Sequence, residues 1–111
     1  MRKADRKPPK AYERFIQRYP KLGEAWESLR EAEQEGPLDR KAARLVKLGI
    51  AVGAQHTGAV HSAVRKALSA GASRKEIEHV VALAAGTIGL PSTVAVNGWI
   101  QEQLTEAGGR R

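Results

Sequence analysis

The stretch "GAQHTGAVHSAVRKALSAGASRKEIEHV", residues 53–80, decides the fold of this chain. At about 100° per residue, positions 56, 59, 60, 63, 64 and 67 share one face, so the first half reads as an amphipathic helix. That helix runs over 56–70 and is closed by Gly71, the residue type suited to a left-handed helix end. Ser73 and Glu76 then stand in the S-x-x-E order of a capping box, which opens another helix.

Working outward, every other segment also reads as helix, because none shows the period-2 alternation of a strand. "PPKAYERFIQRYP" predicts a short first helix ending before Pro20. "KLGEAWESLREAEQEG" predicts a second, with Leu22, Trp26 and Leu29 on one side and charge on the other. Gly36-Pro37 is a break. A third helix over 38–55 aligns Leu38, Leu45, Leu48 and Val52 on one stripe. The capping box opens a fifth, ended by Gly89-Leu90-Pro91, and a sixth runs through Trp99 to about Thr105. The chain is thus expected to be all-α, with about six helices. Val80 to Ala85 is apolar all the way round, which a small domain cannot bury alone, so this part of the fifth helix is expected at a subunit interface.

The chain has 111 residues, one domain by length. Its 41% hydrophobic and 28% charged residues are ordinary for a globular protein. It holds no cysteine, which excludes disulfides, thiolate metal sites and thiol catalysis within the chain. No apolar run approaches the ~20 residues of a membrane span. The start, "MRKADRKPPK", lacks the apolar stretch of a secretory signal, so a cytoplasmic location is expected. The net charge of +7 resides mostly at the ends. Residues 1–10 carry five cations against Asp5, and Arg110 and Arg111 close the chain, which leaves +1 for the body. Residues 1–10 are expected to form a basic flexible arm, 11–106 a single helical domain and 107–111 a flexible tail.

Gly71, Ala72, Ser73, Glu76 and Ile77, followed by Gly89, Leu90 and Pro91, carry a family likeness. In these motifs and their spacing the chain resembles the carboxymuconolactone decarboxylase family, which includes the alkyl-hydroperoxidase-D-like proteins. The likeness covers roughly Leu38 to Leu104. It implies an alkyl-hydroperoxidase-D-like helical fold and an obligate oligomer, a trimer or a hexamer. Peroxidase members carry Cys-x-x-Cys-x-x-x-His before the matching glycine and a glutamate on the preceding helix. Counting back from Gly71, those positions hold His56, Ala59 and Ala63, and the glutamate position holds Arg44. All four depart from the peroxidase pattern, and Ala63 also departs from the decarboxylase members, which keep the histidine.

Arg44, His56 and His61 are the candidate site residues. An arginine can clamp a carboxylate through two parallel hydrogen bonds, and an imidazole can move a proton near neutral pH. His56 is read either as a functional side chain on the apolar face, in the old cysteine position, or as a helix-end histidine bonded to backbone. His61 lies about 140° away on the stripe edge, so the two cannot share one metal ion from this helix, which would want i, i+4 spacing. No metal and no cofactor is expected. His79 reads as a surface or interface residue, and Trp26 and Trp99 as core or interface aromatics.

Three functions stay open. One is a cofactor-free decarboxylase or isomerase acting on a small carboxylated molecule. A second is a relative that binds such a molecule without chemistry. A third is a helical oligomer whose basic arms contact nucleic acid or an acidic partner.

Overall fold

The structure, a computed structural model, describes residues 10–108. Their order is α1 (Lys10–Arg18), α2 (Pro20–Glu33), α3 (Arg40–Ala54), α4 (Thr57–Ser69), α5 (Arg74–Leu83), α6 (Ala85–Ile88) and α7 (Leu90–Gly108). Among the described residues there are thus six helices of nine residues or more and one single-turn helix. Met1–Pro9 of the expected basic arm, and the tail from Gly109, lie outside the described residues, while Lys10, expected in that arm, opens α1. Ala107 and Gly108, expected in that tail, continue α7.

The described chain divides into two compact units, residues 10–39 and 40–108. In the first, Pro20 opens α2, where a missing N–H costs nothing because the first helical donors have no partner inside the helix. Gly23 lets α1 and α2 approach: a Cβ there would sit 3.2 Å from the Cβ of Ile16. Neither helix buries a residue. Leu38, expected on the third helix's stripe, lies in the loop before α3 and is exposed.

In the second unit α3 packs on α4 and α5, and α7 packs on the same two, so four helices enclose one core. Leu48, Val52, Val60, Val64, Ile77, Val96 and Ile100 are fully buried there. Each contributes about 1.5–3 kcal/mol by leaving water. Leu45 and Trp99 are half-buried against this core.

The ends of the central helices follow from local chemistry. At α4 the Gly71 amide bonds to the Leu68 carbonyl and the Ala72 amide to the Ala67 carbonyl, both at 3.0 Å. Gly71 has φ +97°, so this is a Schellman ending that an L side chain would strain. The capping box at α5 is complete: the Glu76 amide donates to Ser73 Oγ at 3.0 Å, and the Ser73 amide to Glu76 Oε1 at 2.9 Å.

The expected fifth helix does not run unbroken to Gly89. It stops at Leu83, and the chain turns at Ala84 before α6. Gly86, Thr87 and Ile88 are weaker helix formers than the residues before them, and Gly89, at φ +89°, ends the turn. Val80 to Ala85 is only partly enclosed: Val81 is buried, while Leu83 is 66% exposed.

Candidate functional site

The turn between α3 and α4 carries one of the candidate residues. α3 ends as α4 does: the Gln55 amide bonds to the Val52 carbonyl at 3.0 Å and the His56 amide to the Ala51 carbonyl at 3.5 Å. The position that glycine holds after α4 is held here by Gln55, at φ +55°. A left-handed conformation at a residue with a Cβ costs about 1–2 kcal/mol.

The residue after this turn is His56. It does not lie on the apolar face of α4, where the helical spacing put it. It is the N-cap, in extended conformation, and its Nδ1 accepts the Ala59 amide over 3.4 Å, a long and weak bond. The helix-end alternative for His56 is therefore the one the geometry matches. The physical reason is that the chain leaves α3 through Gln55 and re-enters helix only at Thr57, so the 100° rule does not apply at 56. His56, Thr57, Gly58 and Ala59 are all exposed.

Arg44 lies on α3, half-buried. Ala51, which holds the His56 amide, is seven positions further along, about 10 Å up the helix axis at 1.5 Å per residue. No hydrogen bond joins Arg44 and His56 among the described residues. α3 carries Arg40, Lys41, Arg44 and Lys47 and no acid. Arg40 donates to the Ser69 carbonyl and to Ser69 Oγ, each at 3.3 Å, and Lys41 Nζ sits 3.0 Å from Glu76 Oε2. Among the described residues Arg44 has no hydrogen-bond or ion-pair partner.

His61 faces α7. Its Nε2 is shielded from solvent and has no hydrogen-bond partner; Glu102 Oε1 lies 3.8 Å away, beyond bonding distance but close enough to pair with a protonated ring. Glu102 also lines an open depression along α7 with Gly98, Gln101, Thr105 and Glu106. Among the described residues no hydrogen bond or ion pair joins any two of Arg44, His56 and His61. His79 is exposed on α5. Among the described residues no group of three His, Asp or Glu comes together to hold a metal.

A second polar set ties α5 to α7. Gln101 receives Arg74 on its Oε1 and donates through Nε2 to Glu78 Oε2, both at 2.9 Å. The Gln101 bond, then Arg74, hold the Glu78 carboxyl below its ordinary value. For Glu76 the Ser73 amide is the largest cause of the same downward shift, followed by Lys41.

Gln55 and Glu102 are the residues that sequence reasoning passed over. A non-glycine left-handed turn leaves no mark in a sequence. Glu102 gains meaning only through its distance from His61, which depends on how α4 and α7 pack.

None of the curated proteins matches this chain. A solved structure with the same fold is that of apo-lpg0406, a carboxymuconolactone decarboxylase family protein from Legionella pneumophila. The two share 24% identity over 83% of each chain, with a TM-score of 0.74. The carboxymuconolactone decarboxylase family model matches residues 20–102, which takes in α2, the strained turn, the capping box and Gly89-Leu90-Pro91. Since that match spans most of the chain, the protein belongs to the carboxymuconolactone decarboxylase family.

Proposed function

We propose that this protein is a thiol-independent member of its family that binds a small carboxylate, with Arg44 as the anchoring cation, and that it acts as a homo-oligomer. One observation carries the ligand class: a half-buried guanidinium without a partner among the described residues, on a helix with four cations and no acid. A half-buried guanidinium has lost part of its hydration, and a carboxylate replaces it with two charge-assisted bonds. Binding is favoured over turnover because decarboxylation also needs a proton donor at the reacting carbon. His56 caps a helix about two turns away, and His61 faces Glu102.

The homo-oligomer reading is supported by apolar side chains of the four-helix unit that remain open in one chain. Ile50, Leu83 and Leu90 are each 66% exposed. Such surface marks an interaction site when it is contiguous.

Thermal unfolding with a panel of small mono- and dicarboxylates tests the ligand reading. A ligand of the native state raises the midpoint in proportion to RT ln(1 + [L]/Kd). At least one carboxylate should raise it in the wild type and leave Arg44→Ala unmoved. Equal shifts in both proteins, or none in either, would remove Arg44 from the reading. Light scattering tests assembly: a mass of one folded chain would end the homo-oligomer reading.

A further inference from the structure

We infer that His61 and Glu102 form a proton-operated latch between α4 and α7, open while the imidazole is neutral and closed when it is charged. The observation is a nitrogen with nothing to bond. His61 Nε2 is shielded from solvent and has no hydrogen-bond partner, although the side chain as a whole is 31% exposed. The ring therefore turns its Nε2 edge inward, toward α7. Glu102 Oε1 lies 3.8 Å from that nitrogen, too far for a hydrogen bond and with no other atom bonded to the nitrogen between them.

Neither neutral tautomer satisfies this place. With the proton on Nε2, the N–H has no acceptor within bonding distance. With the proton on Nδ1, a shielded lone pair faces a carboxylate oxygen. A shielded polar group left unpaired costs free energy that a bond returns. Protonation puts an N–H on Nε2 and a positive charge beside the carboxylate. Such a charge-assisted bond closes to about 2.7–2.9 Å, so an approach of about 1 Å completes it. Glu102 is free to make that approach: its side chain is 73% exposed and has no other hydrogen bond or ion pair among the described residues. The same carboxylate lines the depression along α7 with Gly98, Gln101, Thr105 and Glu106. Closing the latch ties α4 to α7 and neutralises one of the two acids of that depression.

The surrounding charges leave Glu102 as the partner. On α7 the next acid is Glu106, one turn on, which accepts from Gln103 Nε2 at 3.4 Å. On α4, Arg65 lies one turn beyond His61 and is exposed, as is Lys66. α3 runs antiparallel to α4, since Arg40 at its start bonds Ser69 at the end of α4 and a short turn joins the other ends. Arg40, Lys41 and Arg44 therefore lie toward the far end of α4, and Lys47, nearer, makes an interaction of its own. On α5, Arg74 and Glu78 meet at Gln101, Glu76 holds Lys41, and Lys75 and His79 are exposed. An imidazole changes charge between about pH 5 and 8, so the latch closes as pH falls through that range. The stability it adds is present on the acid side and lost as pH rises. Glu76 and Glu78 act in the opposite sense, since a depressed carboxyl loses its contribution on acidification.

The latch works whether or not Arg44 holds a ligand. The full chain is unfolded in urea as wild type, His61→Gln, Glu102→Gln and the double variant, at about pH 5.5 and about pH 8.5, either side of most of the imidazole range. On the acid side each single variant should raise the unfolding constant about two- to fivefold, as expected for a pair open to solvent on one side. The double variant should add nothing to the larger single effect, and on the alkaline side the coupling should vanish. Should His61→Gln fail to fold, Glu102→Gln alone reads the latch through a loss present at acid and absent at alkaline pH. By NMR the Glu102 carboxyl carbon should shift across the same range in the wild type and in His79→Gln, and hold still in His61→Gln. A coupling equal at both pH values would mean that the two side chains pack together irrespective of the ring's charge, and would overturn the latch. So would a coupling absent at both, or a Glu102 signal that moves alike in wild type and His61→Gln.

Discussion

Glu76 holds Lys41 with one carboxylate oxygen and its own helix start with the other. Oε2 lies 3.0 Å from Lys41 Nζ on α3, and Oε1 accepts the Ser73 amide at 2.9 Å. A residue placed by local capping is therefore also a tertiary link between α3 and α5. Both partners favour the ionised form and lower its pKa.

Acid should weaken this link first. A carboxyl whose folded pKa is depressed contributes stability above its unfolded value, near 4.5, and loses it as pH falls through the lowered folded value. Glu78, lowered mainly by Gln101, acts in the same window. Denaturant midpoints should fall from about pH 5 downward in the wild type. Glu76→Gln, Glu78→Gln should show a flatter profile over that range. An identical slope would mean that neither carboxylate contributes.

The two ends built alike, at α3 and α4, should respond oppositely to glycine chemistry. Gln55→Gly relieves a left-handed side chain and should raise stability by about 1 kcal/mol. Gly71→Ala places a Cβ at φ +97° and should lower it by about 1 kcal/mol or more. Urea unfolding of both variants reads the difference. A destabilised Gln55→Gly would show that the Gln55 side chain has a role beyond the turn.

Ile77 is fully buried one position after the capping glutamate. Ile77→Ala should lose about 2–5 kcal/mol, the range for a large-to-small change in a packed core. For a chain of this size that approaches the whole stability of roughly 5–15 kcal/mol, so a broad or missing thermal transition is expected. A loss under 1 kcal/mol would contradict the burial.

Dithiol-dependent peroxide turnover should be absent from the pure protein. The cycle needs one thiolate to attack and a second thiol to resolve, and the chain has neither. Peroxide consumption that persists in metal-free, cofactor-free preparations would contradict this.

The sequence by itself determined the helices and their punctuation. Ser73 and Glu76, Gly71, Pro20 and Gly89-Leu90-Pro91 act through bonds to neighbours a few residues away, so their spacing alone reveals them. The same holds for the missing thiol. Tertiary structure decided what each candidate residue faces. His56 left the apolar face because Gln55 turns left-handed, a choice the main chain makes with no glycine to announce it. His61 met Glu102, and Lys41 met Glu76, because α4 packs on α7 and α3 on α5. These pairs lie 41 and 35 residues apart, and no local spacing rule reaches across such a separation. The apolar stripe of α2 was legible as a stripe, but its exposure depends on what packs against it, which is a property of the folded chain and its neighbours.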